Sequence, residues 1–115
     1  MNNSPFQEVW VDGPAGQMMC ALINGEVGWL MYLREPSDAG FSSRNPAYTG
    51  SQHAVISYVL SNGQVDEYPA AWAYPLATVQ AAIDYFRTHG SPPPFIAWHD
   101  DGGGGLQPGP KPERS

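Results

Sequence analysis

Two Asn-Gly pairs, at residues 24–25 and 62–63, constrain the fold of this chain more than any other feature. A type I′ hairpin turn needs a positive φ at both central positions, and asparagine followed by glycine adopts that conformation most readily. Each pair lies between two runs of residues in which apolar side chains recur. The sequence therefore predicts two β-hairpins, whose strands are residues 17–23 and 26–33, and residues 53–60 and 64–68.

The first predicted hairpin has apolar side chains on both of its faces. Because side chains alternate along a strand, one face of the second strand carries Val27, Trp29, Met31 and Leu33, and the other carries Gly28, Leu30 and Tyr32. A strand that is apolar on both faces must be covered on both. We therefore expect this hairpin to lie at the centre of the sheet.

One amphipathic helix is predicted between Pro75 and Gly90. Proline suits a first helical position, where its missing N–H is not needed, and glycine suits the position just after a helix. Between them, apolar residues recur at spacings of three, four and three, which places them on one helical stripe: Leu76, Val79, Ile83 and Phe86. Further strands are expected at residues 6–11 and 95–98.

This order of elements predicts an α+β domain: one antiparallel β-sheet of about five or six strands, with one main C-terminal helix packed on a face. The domain is expected to span residues 1–101. Residues 102–115 are rich in glycine and proline and are expected to form a disordered tail that adds nothing to the core. The polar connection at residues 34–50 is either a functional loop or an edge flap with a short strand near Phe41.

The chain contains few charged residues, and most of them are acidic. Charged residues make up 14% of the chain, with 5 basic against 11 acidic residues and a net charge of −6. Phosphate contacts need lysine and arginine, so this balance argues against nucleic-acid binding and favours a basic partner. The N-terminal residues lack the features of a signal peptide, and no apolar run reaches membrane-spanning length. We expect a cytoplasmic protein without membrane contact.

No arrangement of residues in the sequence predicts catalysis, a cofactor or a metal. The best metal candidate is His99 followed by Asp100 and Asp101, but alternation along a strand would point His99 and Asp100 apart. The single cysteine, Cys20, lies in an apolar run and is expected to be buried. An enzyme or ligand-binding domain remains an alternative, and it would use His99 and Asp100 together with Ser42 or Ser43.

Four tryptophans are many for a chain of 115 residues, and tryptophan serves both cores and interfaces. Trp29 and Trp98 lie in predicted strands and are expected in the core. Trp72 precedes the predicted helix, so it either packs under the start of the helix or stands exposed as an anchor for a partner.

In order and spacing, four segments resemble the Imm1 family of immunity proteins from bacterial polymorphic toxin systems: residues 28–32, 40–46, 62–69 and 95–100. A tryptophan near the C-terminus is characteristic of that family, and Trp98 is similar to it. Phe95 departs from the family, where a larger aromatic residue is typical. The resemblance covers about residues 9–101.

The resemblance implies a small α+β protein that binds and neutralises a cognate toxin and is not itself an enzyme. The toxins of this family often belong to the deaminase superfamily, related to zinc-dependent cytidine deaminases, and a nuclease toxin is the alternative. Because a toxin that acts on nucleic acid needs a basic substrate-binding mouth, we expect an acidic inhibitor to occlude it. The candidate contacts are Asp38, Arg44, Asp66, Glu67, Trp72, Asp100 and Asp101.

Overall fold

A computed structural model describes residues 4–102 of the chain. Within this range the chain forms eight strands and one α-helix, with a single turn of 3-10 helix at Ala70–Trp72. The elements are β1 (Phe6–Asp12), β2 (Met18–Asn24), β3 (Val27–Leu33), β4 (Phe41–Arg44), β5 (Val55–Val59), β6 (Val65–Pro69), β7 (Tyr74–Pro75), α1 (Leu76–His89) and β8 (Ala97–Asp100).

The main sheet is antiparallel and has the strand order β1-β2-β3-β4-β8, with the two-residue strand β7 also paired to β3. The predicted α+β class, with an antiparallel sheet and one main helix, is confirmed. Both predicted hairpins form, but β5 and β6 make a separate two-stranded ladder instead of joining the main sheet. The reason lies in the first hairpin, which is apolar on both faces and needs a cover on each.

The first face of the main sheet is covered by α1. Val79 and Phe86 of the helix are buried against Leu30 and other apolar residues of β2 and β3. Gly28 allows this close approach, since a Cβ atom there would lie 3.0 Å from Val79 Cγ2 and 3.1 Å from the carbonyl oxygen of Leu22. The helix ends as predicted, with Gly90 at a φ of 69° and its N–H donating to the carbonyl of Phe86.

The second face of the main sheet is covered by the hairpin of β5 and β6. Trp29, Cys20 and Tyr58 are buried there, and the ring of Trp29 stacks on Tyr68 with 4.4 Å between centroids and 9° between planes. Such an aromatic pair contributes about 0.5–1.5 kcal/mol beyond the area that it buries. Burial raises the pKa of the Cys20 thiol to about 12, as expected for an inert structural cysteine.

Two details of the sequence prediction change in the structure, and one lies largely outside the described residues. The connection at residues 34–50 contains β4, so the short strand near Phe41 forms, but it lies between β3 and β8 and not at an edge. The last strand begins at Ala97 and not at residue 95, because a turn around Pro93, whose carbonyl accepts from the backbone N–H of Ile96, occupies the preceding residues. Of the predicted tail, all but Gly102 lies outside the described residues.

The predicted position of Trp72 under the start of the helix is wrong. Trp72 packs against the second core, on the face of the sheet opposite to α1. The 3-10 turn that contains it follows directly from β6, and the ring of Trp72 stacks on Tyr68 of that strand with 6.0 Å between centroids. Trp29 is buried as predicted, and Trp98 is half-buried against the first core. Across residues 4–102, no helix combines the length and apolarity needed to span a membrane.

Candidate interaction site

Strands β4 and β8, at one edge of the main sheet, contain the predicted contact residues Arg44 and Asp100, and Asp101 follows β8 directly. Their antiparallel register pairs Phe41 with Asp100 and Ser42 with His99, and it places Arg44 opposite the first residue of β8. Side chains at paired positions leave a sheet on the same face. Phe41 and Asp100 therefore lie on the face that α1 covers, whereas Ser42 and His99 lie on the opposite face with Arg44.

Five polar or aromatic side chains on the second face form what we name the edge patch: Arg44, Asp66, Trp72, His99 and Asp101. Arg44 lies at its centre, with its guanidinium carbon 3.6 Å from the centroid of the Trp72 ring. Its Nη2 atom lies 3.9 Å from Asp101 Oδ1, and the two side chains remain 27% and 33% exposed. Arg44 therefore contacts both Trp72 and Asp101, and Tyr68, which stacks on Trp72, links Asp66 to this group.

Hydrogen bonds hold the guanidinium of Arg44 in this position. Its Nη1 atom donates to Ser42 Oγ at 2.8 Å and to the carbonyl oxygen of Ser43 at 2.9 Å. Partial burial lowers the pKa of Arg44, and Asp101 opposes that shift. The stacked ring and the two acceptors offset the cost of removing the cation from water.

Ser43 holds the backbone of Trp72 in place. The sequence suggested this serine only as part of a possible enzyme site. Ser43 is fully buried, and its Oγ donates to the carbonyl oxygen of Trp72 at 2.9 Å while accepting from the backbone N–H of Leu30 at 3.0 Å. This hydroxyl therefore joins β3 and β4 to the 3-10 turn. The sequence around it, Phe-Ser-Ser-Arg within a polar connection, gave no signal for this role.

Asp66 brings negative charge from the second hairpin to the patch. Its Oδ2 atom accepts from the hydroxyl of Tyr68 at 3.3 Å, and its Oδ1 atom accepts from Gln64 Nε2 at 2.7 Å. Partial burial raises the pKa of Tyr68, and the charges of Asp66 and Asp101 raise it further. Asp66 therefore joins the edge patch through Tyr68, whose ring stacks on that of Trp72.

Three other predicted contact residues lie outside the edge patch. Asp38 has a side chain that is only 7% exposed and binds Arg34 Nε and Nη2 at 2.8 and 2.9 Å, which lowers its pKa strongly. Asp100 lies on the helix-covered face. Glu67 lies on the outward face of the second hairpin, where its Oε2 atom accepts from Ser57 Oγ at 3.2 Å.

The residues named for a possible enzyme do not assemble a nucleophile and a base. His99 Nε2 lies 3.7 Å from Asp101 Oδ1, beyond hydrogen-bond range, and Ser42 Oγ is buried against Arg44. Asp100 extends from the other face of the sheet. In the described part of the chain, no group of three or more histidine, cysteine, aspartate or glutamate side chains is arranged to hold a metal ion.

We predict that replacing Arg44 with lysine lowers the free energy of unfolding by about 1–2 kcal/mol. Lysine keeps the charge but loses the planar group that stacks on Trp72 and donates to two acceptors. Chemical denaturation followed by circular dichroism measures the change. The control is Arg87→Lys, because Arg87 is exposed and lies 4.0 Å from Asp84 on the helix surface. Equal effects of the two substitutions would contradict the stacked arrangement.

The amino-acid sequence matches one known protein family. The family model described as immunity protein Imm1 matches residues 4–100. No curated protein and no solved structure matches the chain significantly. The matched range includes every element of the fold, from β1 to β8. This chain therefore belongs to the Imm1 family of immunity proteins.

Proposed function

We propose that this immunity protein neutralises a nucleic-acid deaminase toxin in the cytoplasm by covering the toxin's active-site mouth with the edge patch. The observation that carries the proposal is the assembly of four sequence-predicted contact residues on one partly exposed surface: Arg44, Asp66, Trp72 and Asp101. The resemblance to immunity proteins of polymorphic toxin systems supports the choice of a deaminase.

Charge supports the choice of a cationic partner. An enzyme that acts on nucleic acid attracts phosphates with lysine and arginine around its substrate-binding mouth. This chain has a net charge of −6, so its field favours encounter with such a surface. Asp66 and Asp101 would then occupy positions that the phosphates of the substrate take, and no chemistry by the inhibitor is needed.

The residue types of the edge patch also suit an interface. Tryptophan, tyrosine and arginine are enriched among the few residues that carry most of the binding energy at interfaces. Trp72 and Arg44 are stacked and fixed by hydrogen bonds before any partner arrives. Such preorganisation reduces the entropy that binding must overcome.

Binding to the toxin domain encoded beside this protein's gene tests the role of the patch. We predict that the double variant Asp66→Asn/Asp101→Asn raises the dissociation constant about tenfold and reduces its dependence on salt concentration. Isothermal titration with a catalytically inactive toxin measures both quantities. The matched control is Glu67→Gln, which also removes a carboxylate from β6 but on the outward face.

Two results would separate the parts of the proposal. If the control weakens binding as much as the double variant, the edge patch is not the contact surface. An activity assay of the free toxin identifies its chemistry, and cleavage of nucleic acid in place of deamination would replace the deaminase by a nuclease. Failure of the wild-type protein to inhibit the toxin would overturn the proposed function as a whole.

A further inference from the structure

A recess lies on the face of β4 and β8 that α1 covers, opposite to the edge patch. We name it the aromatic groove; it encloses about 330 Å³ and is lined by Tyr32, Arg34, Phe41, Pro92 and Trp98. The ring centroid of Tyr32 lies 6.1 Å from that of Phe41 and 6.3 Å from that of Trp98, with tilts of 36° and 55°. Three rings therefore present an almost wholly apolar surface, with room for one long side chain.

The rim of the aromatic groove is acidic despite the presence of an arginine. Arg34 lies 5.0 Å from the centroid of Phe41, but its charge is matched by the two hydrogen bonds from Nε and Nη2 to Asp38. Asp100 is the cross-strand partner of Phe41, so its carboxylate leaves the sheet on the groove side. Its Oδ1 atom accepts from the backbone N–H of Gly102, and among residues 4–102 no cation lies within 4.0 Å of it. Its charge does reach Arg34, whose pKa is raised by Asp38 first and by Asp100 in addition.

We propose that the aromatic groove receives one arginine or lysine side chain of the toxin, with its stem along the rings and its cation beside Asp100. This inference rests on the proposed function for the identity of the partner. Long basic side chains pack their methylene stems on apolar surface and keep the charged end at the rim. A cation within about 6 Å of an aromatic ring gains roughly 0.5–2 kcal/mol, most where it is shielded from water.

A second copy of this chain is a poorer occupant. Within the described residues the three arginines each already lie within 4.0 Å of a carboxylate: Arg34 with Asp38, Arg44 with Asp101 and Arg87 with Asp84. Two chains of net charge −6 would also repel one another. A cationic toxin supplies the unpaired basic side chain that this surface lacks.

The side chain of Trp98 offers a direct reporter of occupancy. Its indole N–H donates to the carbonyl oxygen of Pro93 at 3.1 Å beside the groove, so its NMR signal should shift when a ligand enters. The probe is N-acetyl-arginine methylamide, titrated into the ¹⁵N-labelled full chain. The comparison probe is N-acetyl-norleucine methylamide, which has a similar stem and no charge. The indole of Trp29, buried in the second core, serves as the internal control signal.

The expected result is a saturable shift of the Trp98 indole signal with the arginine probe and a several-fold weaker response to norleucine. Asp100→Asn, which keeps an oxygen acceptor for Gly102, should reduce the affinity for the arginine probe about threefold. Asp84→Asn, on the exposed surface of the helix, should leave that affinity unchanged.

Three results would overturn the inference. The first is the absence of a shift at Trp98, and the second is an equal response to both probes. The third is a Trp98 signal that shifts without any probe. A shift with protein concentration would mean that a second copy of the chain occupies the groove. A shift in the double variant Lys111→Gln/Arg114→Gln would mean that this chain's own tail occupies it. If the probe binds as expected but the protein fails to inhibit the toxin, the proposed function fails and the preference of the groove for a basic side chain stands.

Discussion

Replacing Phe86 with alanine is expected to lower the free energy of unfolding by about 3–5 kcal/mol, the largest effect of any single substitution considered for this fold. Phe86 is 1% exposed and lies in the first core. Its ring meets that of Tyr32 edge-on, with 6.1 Å between centroids and 69° between planes. Alanine would remove this contact and leave a cavity between α1 and the sheet, which the rigid strands cannot close.

Urea denaturation followed by circular dichroism measures the loss, and Phe95→Ala provides a control with the same chemical change. Phe95 is 47% exposed, and its ring meets that of Tyr85 edge-on with 6.0 Å between centroids. We expect its removal to change the free energy of unfolding by less than about 1 kcal/mol. Similar losses for the two variants would mean that α1 does not dock on the sheet through Phe86.

Two buried tyrosines should respond in opposite ways when each is replaced by phenylalanine. The hydroxyl of Tyr74 donates to the carbonyl oxygen of Arg44 at 2.6 Å and accepts from the backbone N–H of Ala97 at 2.9 Å. Its removal leaves two backbone groups of β4 and β8 without that partner, at a cost of about 1–3 kcal/mol each. We predict a loss of about 2–4 kcal/mol for Tyr74→Phe.

Tyr58→Phe is the matched comparison, because the Tyr58 hydroxyl is buried and has no hydrogen-bond partner among residues 4–102. The same burial raises the pKa of Tyr58 to about 12. Removing an unpaired buried hydroxyl relieves its desolvation, so we expect no loss and a gain of up to about 1 kcal/mol. Thermal and urea denaturation of both variants measure the two changes. A loss for Tyr58→Phe equal to that for Tyr74→Phe would contradict the hydrogen bonding described for both.

Local patterns in the sequence predicted the elements of the fold well, since their causes are local. Gly25 and Gly63 at the hairpin turns and Gly90 after the helix all have a positive φ, which glycine adopts without strain. The type I′ turns expected from the two Asn-Gly pairs do not form, because neither asparagine has a positive φ. The alternation of β3 also predicted its two apolar faces, which the structure covers with α1 and with the second hairpin. The position of that hairpin depends on contacts between distant residues, such as Trp29 with Tyr68, and periodicity carries no information about those.

The site was harder to predict because its residues come from four separate segments. Arg44 and Trp72 are 28 positions apart, and nothing in either segment indicates that they stack. Composition identified acidic residues but could not separate Asp66, which reaches the edge patch, from Asp38, which is occupied by Arg34. The supporting roles of Ser43 and Tyr74 depend on backbone groups far along the chain, so sequence spacing did not reveal them.

The position of β8 at the margin of the main sheet affects how the free protein opens. β8 pairs with β4 over only four residues, whereas β1, at the other edge of the main sheet, pairs with β2 over seven. Segments with few partners detach before the centre of a domain unfolds. Protease digestion should therefore begin around β8, and a toxin bound across that margin would protect it.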